Sequence, residues 1–225
     1  MEPILTNIFC LIGKPGSGRE TLLKGILSDD KFIKRYEVRK LVSGTTRPMK
    51  PGEKQGVTYY FLTKEEFEDL DPKEFIESRS YDNIYTEDLY HYFTLKKYIR
   101  FGKNYIAKTS TFQYSEFKKW ALVSQLGDSM NRIQIYPILV TAPIFEREKR
   151  LMGEASVDSD VYNICAKLIS ERFEFETVIR DNPEIIDHSN RDTCIIDNGK
   201  YGDQCILNNI KQIEDFIVGR LTRAG

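Results

Sequence analysis

Hydrophobic positions along the chain fall into two patterns that alternate. Short apolar runs read as strands, and between them apolar residues recur at the three- and four-residue spacing of helices. Residues 7–12 form the first run, a glycine-rich turn spans 13–18, and Thr21, Leu22, Leu23, Ile26 and Leu27 then line one helical face. The pattern changes between Tyr36 and about Asn104, where tyrosines and basic residues accompany short strand signals at 38–42, 59–62, 74–79 and 90–94 and a short helix at 64–70. Strand and helix then alternate again. Strands are predicted at 105–108, 133–141 and 193–197, and helices around 114–126, 144–151, 161–177 and 204–219. The run 133–141 is apolar through its centre, the signature of a strand buried on both faces. This order predicts an α/β fold, a parallel sheet core flanked by helices. It reads as a single domain over 1–225, with a small mixed α/β insertion at 36–103 carrying its own sheet.

Composition narrows the function classes. A chain of 225 residues with 40% hydrophobic and 30% charged residues can bury one substantial core. The formal net charge of -1 gives no global electrostatic attraction to nucleic acid, so any phosphate binding must be local. The early apolar run 8–12 is too short for a membrane span or a signal-peptide core. Cys10, Cys165, Cys194 and Cys205 form no CxxC pair, and His91 and His188 carry no motif, which argues against zinc. The four thiols read as buried cysteines in a reducing, cytoplasmic setting.

The strongest local signal is Gly13-Lys14-Pro15-Gly16-Ser17-Gly18-Arg19-Glu20-Thr21, between an apolar strand and a helix. That is the context of a P-loop. Glycines let successive backbone N–H groups close on a phosphate, and the helix adds the positive end of its dipole. The match to GxxxxGK[ST] is altered at two places. Arg19 stands where lysine is usual, and Glu20 where a Ser or Thr would hold Mg²⁺. Thr21 comes one residue later, the register of the adenylate kinase loop, and is the candidate Mg²⁺ ligand. Gly13, Pro15, Gly16, Ser17, Gly18, Arg19, Glu20 and Thr21 are the expected ATP-binding set.

Residues 42–61 read VSGTTRPMKPGEKQGVTYYF. This segment resembles the GMP-binding motif of the guanylate kinase family, in which a serine, TTRxxR, a GE pair and DYxF surround base and phosphate. The resemblance covers most of the chain, weakly after residue 110. It implies a P-loop NTPase-type core, a nucleoside-monophosphate-binding insertion, and a helical lid, placed here at 146–177. Carried over by position, Ser43, Arg47, Lys50 and Tyr59 would contact GMP, with Lys50 replacing the second arginine. Glu77 would read the guanine N1–H and amino group, and Tyr85 would add a phosphate contact. The segment Lys108-Thr109-Ser110 lacks the family's carboxylates, so either Ser110 reads guanine or no residue of that segment does. Arg150, Lys167 and Arg172, with Arg147, are the lid cations. Arg19, Arg150, Lys167 and Arg172 are the expected catalytic charges.

The resemblance implies transfer of the ATP γ-phosphoryl group to GMP or dGMP with Mg²⁺. An alternative from a different class is a catalytically impaired nucleotide- or protein-binding module, motivated by Arg19, Glu20 and the missing carboxylates. A further alternative is a P-loop kinase with a different small acceptor. The expected ligands are nucleotides, without nucleic acid or membrane, and a protein partner belongs only to the module reading.

Overall fold

The computed structural model describes residues 3–83, 88–127, 130–153, 158–200 and 202–222. In chain order its elements begin with β1 (Ile4–Ile12), α1 (Arg19–Ser28), α2 (Asp30–Tyr36) and β2 (Val38–Lys40). Then follow β3 (Gly44–Thr45), β4 (Tyr60–Phe61), α3 (Lys64–Glu68), β5 (Phe75–Asn83) and β6 (Asp88–Leu95). The chain continues through β7 (Asn104–Lys108), α4 (Thr111–Gly127), β8 (Asn131–Thr141), α5 (Ile144–Gly153), α6 (Asp158–Asp181), β9 (Cys194–Asp197) and α7 (Asp203–Leu221).

The large sheet has the order β2-β7-β1-β8-β9, and every pairing in it is parallel. Alternation along β1 explains the two helical layers. Phe9 and Leu11 face a cluster built with Leu22, Leu23 and Ile26 of α1 and Ile213 and Ile217 of α7. Ile8, Cys10 and Ile12 point the other way, toward Tyr114, Phe117 and Ala121 of α4, with Phe175, Val178 and Ile179 of α6 packed against them. The strand order reverses at β1, which has β7 on one side and β8 on the other. In open α/β sheets a crevice forms beyond the carboxyl ends of the strands at such a reversal. The glycine loop lies there.

A smaller sheet of order β4-β3-β6-β5 is mixed, with β3 and β4 parallel and the other pairs antiparallel. Gly44 is required in β3 because a Cβ there would lie 2.3 Å from a ring carbon of Phe93. Helix α3 starts at a capping box, in which Thr63 accepts from the Glu66 amide and Glu66 accepts from the Thr63 amide.

Three expectations change. The strand expected at 38–42 is Val38–Lys40, and it joins the large sheet beside β7 rather than the small one. Helix α2 has no counterpart in the periodicity. It is nucleated by Asp29, whose Oδ1 accepts from the amides of Lys31 (2.9 Å) and Phe32 (3.0 Å). Cys10 and Cys194 are buried as expected, but Cys205 is only partly covered and Cys165 is exposed. Burial pushes the Cys10 thiol up to about 12. Among the described residues, no helix is long and apolar enough to cross a membrane.

Phe9 is wholly buried and stacks on Tyr136 with ring centroids 5.1 Å apart. Phe9→Ala is expected to cost about 3–5 kcal/mol of stability, the range for emptying a core aromatic site. Chemical denaturation of the two proteins measures it.

Candidate functional site

The loop 13–18 joins β1 to α1. Gly16 and Gly18 hold φ of +72° and +91°, a backbone region that side chains disfavour. Space is as restrictive as conformation. A Cβ on Gly13 would stand 2.3 Å from the Val140 carbonyl, one on Gly16 2.4 Å from the Arg147 carbonyl, and one on Gly18 2.2 Å from Asn198 Nδ2. The loop's carbonyls are taken up by these neighbours. Arg147 Nη1 donates to Pro15 O and Arg150 Nη1 to Gly16 O, each at 3.2 Å. Arg150 Nη2 donates to Asn198 O (2.7 Å), and Asn198 Nδ2 to Ser17 O (2.8 Å). Arg147 and Arg150 on α5 therefore brace the loop through its carbonyls. Lys14 leaves the loop toward α6, where its ammonium lies 4.9 Å from the centre of the Phe175 ring. Ser17 Oγ is buried with no hydrogen-bond partner, an orphaned polar atom within the loop.

At the start of α1, Arg19 Nη1 donates to Thr109 O at 2.6 Å, which ties the loop to the end of β7. Glu20 Oε2 accepts from Lys108 Nζ at 2.6 Å, and Lys24 Nζ is 3.9 Å from Oε1. Partial burial pushes the Glu20 carboxyl up, but the Lys108 bond and the charges of Lys108, Lys24 and Lys40 outweigh it and hold the carboxyl below its ordinary value. Thr21 is exposed one position further on. A P-loop holds its divalent cation with the hydroxyl that directly follows the loop cation and with a carboxylate at a strand end. Here that hydroxyl is replaced by a carboxylate already held by an ammonium. The ends of β7 and β8 supply Lys108, Thr109 and Ser110, and Thr141, Ala142 and Pro143, without an acid. Among the described residues no three His, Cys, Asp or Glu side chains come together. As arranged, the side chain that follows the loop cation is closed to Mg²⁺ by Lys108, and no acid at the ends of β7 and β8 takes its place.

A second group of residues lies where the small sheet meets α4. Thr94 Oγ1 donates to Glu77 Oε1 at 2.7 Å, so the 3.1 Å contact between Ser43 Oγ and Thr94 Oγ1 has Ser43 as its donor. Gln113 Nε2 donates to the same Glu77 Oε1 at 3.0 Å. Gln113 is fixed in turn by Ser110 at the head of α4. Its Oε1 accepts from the Ser110 amide (3.0 Å), and Ser110 Oγ accepts from the Gln113 amide (3.1 Å). Glu77 is only 4% exposed, and its other oxygen, Oε2, has no partner. Burial pushes the Glu77 carboxyl above its ordinary value, against the Gln113 and Thr94 bonds that favour ionisation. Such a carboxylate is an unfilled acceptor for a ligand's N–H groups.

Arg47 is locked in a fork on Glu53, with Nη1 to Oε2 and Nη2 to Oε1 both 2.8 Å, and the Lys50 amide donates to Glu53 Oε2 at 2.8 Å. The Arg47 bond, against slight desolvation, draws the Glu53 carboxyl down to about 2. The Arg47 guanidinium lies 5.6 Å from the ring centres of both Tyr59 and Phe61. Tyr59 packs on Tyr92 at 5.9 Å, while its neighbour Tyr60 stacks on Tyr98 at 4.2 Å, so the two tyrosines serve different faces and both are partly buried. Burial raises the Tyr59 and Tyr92 hydroxyls, which keeps them protonated as donors.

The structure thus brings Ser43, Glu77 and Ser110 into one hydrogen-bonded group, and Arg47, Tyr59 and the Lys50 backbone into another. Tyr85 lies outside the described residues, as do the side chains of Lys167 and Arg172. Thr94, Gln113, Asn198 and the Lys108–Glu20 pair were not legible as site residues. Only Gln113 had a local signal, since Ser110-Thr111-Phe112-Gln113 is a capping-box spacing.

Residues 6–97 match the family model described as guanylate kinase. The guanylate kinase of Idiomarina loihiensis is 39% identical over 86 residues, which are 37% of this chain and 40% of that protein. That of Photorhabdus laumondii subsp. laumondii is 36% identical over 81 residues, 35% of this chain and 38% of that protein. The matches therefore span about two fifths of the length of these relatives. A crystal structure of guanylate kinase from Anaplasma phagocytophilum aligns with 98% of this chain and 89% of its own, with a TM-score of 0.53 at 19% identity, a likeness of fold. The glycine loop, Ser43, Arg47, Tyr59, Glu77 and Thr94 fall inside the matched segment, whereas Lys108, Ser110, Gln113 and α5 lie beyond it.

Because the Glu77 carboxyl is raised on folding, the folded state holds its proton more tightly than the unfolded chain. The group therefore costs stability as pH rises above its ordinary value of 4.5 and costs nothing well below it. Glu77→Gln keeps an oxygen for Thr94 and Gln113 without the charge. Its Tm is expected to equal or exceed that of the unaltered protein at neutral pH, with the difference disappearing on acidification below 4.5, as followed by thermal unfolding across pH.

Proposed function

We propose that this chain, which matches the guanylate kinase family model over residues 6–97, transfers the γ-phosphoryl group of ATP to GMP or dGMP, yielding ADP and GDP or dGDP. The observation that carries the reading is Glu77, a buried carboxylate with one oxygen saturated by Thr94 and Gln113 and the other without a partner. Guanine presents N1–H and its amino group side by side as donors, and adenine has no such pair. The cation and tyrosine hydroxyls for a monophosphate come from the same small sheet and its loop.

Phosphoryl transfer asks the protein for alignment and charge neutralisation rather than covalent chemistry. The glycine loop and the N-terminus of α1 would bind the donor phosphates through backbone N–H groups, with Arg19 beside them. Arg47 would exchange its Glu53 fork for the acceptor phosphate, a swap of one bidentate anion for another. Lys50 would add an exposed charge, and Tyr59 a hydroxyl donor. Ser43 and Thr94 hold Glu77 in place for the base. Helices α5 and α6 touch the loop through Arg147, Arg150 and Phe175, and as a lid they would exclude water from the bound phosphates.

A second reading, a nucleotide-binding module without transfer, is favoured by one specific observation. Arg19 and Arg150 both engage backbone carbonyls, and Glu20 is held by Lys108. The deciding assay is ADP formation from ATP with GMP, dGMP, AMP, CMP and UMP offered separately. Turnover confined to GMP and dGMP supports the kinase. GMP binding without ADP formation supports the module, and turnover with another acceptor alone overturns the guanine reading. Arg47→Ala is expected to lower kcat/KM for GMP by roughly 10- to 100-fold, the value of a charge-assisted hydrogen-bonded contact, with the fold retained by circular dichroism.

A further inference from the structure

At the carboxyl edge of the large sheet beside the glycine loop, four cations gather around Glu20. Lys40 ends β2, Lys108 ends the neighbouring β7, and Arg19 and Lys24 lie on α1. Glu20 lies between them on α1. Its Oε2 holds Lys108 Nζ at 2.6 Å, and its Oε1 is 3.9 Å from Lys24 Nζ. Lys40 Nζ is anchored on the Val57 carbonyl at 2.7 Å. Its ammonium is disfavoured first by partial burial, is supported by Glu20, and is opposed by Lys108 and Lys24, so all these charges act on one another. The Lys108–Glu20 pair is not sealed in the core. The two side chains are 40% and 48% exposed, open to a solute arriving at the loop.

Glu20 directly follows the loop cation, the position at which a P-loop residue binds the divalent cation that bridges the β- and γ-phosphates. We propose that the Lys108 ammonium, tethered by Glu20, occupies the place of that divalent cation, so that nucleotide phosphates bind this chain without a metal. This rests on the nucleotide reading above and specifies how the phosphate charge is met. A lysine ammonium is a compact, strongly hydrated point charge on a flexible stem, closer to a small metal ion than a planar guanidinium is. Glu20 fixes where that charge sits, and the three other cations leave the region positive after the carboxylate is cancelled. A divalent ion at the same place would meet the ammonium and find no second acid at the ends of β7 or β8. The same pair covers both departures from the P-loop pattern, since the position after the loop cation carries an acid rather than a hydroxyl and the end of β7 carries a lysine rather than an acid.

The test is calorimetric binding of ADP to the intact chain, in excess EDTA and in Mg²⁺ at matched ionic strength, with no turnover required. The dissociation constant is expected to change by less than about tenfold between the two conditions, a difference under about 1.4 kcal/mol. Lys108→Met keeps the stem and removes the charge. It is expected to weaken binding in EDTA by about tenfold or more, with Mg²⁺ restoring affinity as Glu20 becomes free to take it. Lys34→Met, on the exposed side of α2, is the control and should bind as the unaltered chain does. Two results overturn the proposal while leaving the nucleotide reading intact: binding by the unaltered chain that falls tenfold or more in EDTA, or Lys108→Met binding ADP in EDTA as well as the unaltered chain does. Absence of ADP binding in both conditions, from folded protein, overturns the proposal and the nucleotide reading together.

Discussion

Residues Ile8 to Ile12 are wholly inaccessible, so β1 must be covered on both faces. That requirement places the rest of the core. Alternate side chains recruit α1 and α7 to one face and α4 and α6 to the other, and the strand order must then turn at β1. The chain leaving the strand emerges at the reversal with no apolar surface left to bury. A glycine loop can use that exit because its backbone needs neighbours only for its carbonyls. Those neighbours are Arg147, Arg150 and Asn198, from two different connections of the core.

Electrostatics then divides the molecule in a way the net charge hides. The sum of charges is close to zero, yet cations gather at the sheet edge around Glu20, and Arg47 sits over two aromatic rings with Glu53 as its counter-ion. Each cation is held by an acid or a carbonyl that water or a phosphate could replace. Glu77 is the reverse case, an acid whose unmet acceptor is shielded from water. The two kinds of site differ in what they leave open, exchangeable cations in one and an unmet acceptor in the other.

The sequence makes the centre of the large sheet legible because β1 over residues 8–12 and β8 over residues 136–140 are buried on both faces and therefore read as unbroken apolar runs. The glycine loop and Arg47 were legible because their chemistry is local, with Glu53 only six residues from Arg47. What was not legible lies far apart in the chain. Glu20 and Lys108 are separated by 88 residues, and Gln113 and Glu77 by 36. No periodicity reports such a pairing. The three residues of β2 likewise carry too short a pattern to say which sheet they join, since membership is decided by the β7 edge they meet. Asn198 reaches the loop across 181 residues, and nothing around it marks it out.

The junction between β7 and α4 ties the two halves of the site to one short stretch of backbone. The Thr109 carbonyl receives Arg19 from the glycine loop, and the next residue, Ser110, fixes Gln113, which holds Glu77 of the small sheet. One added residue at the head of α4 would turn Gln113 by about 100° around the helix axis and away from Glu77. The joint therefore has no slack: a single insertion here is felt in both sheets at once, because the stretch that receives Arg19 is the same one that sets the angle at which Gln113 meets Glu77.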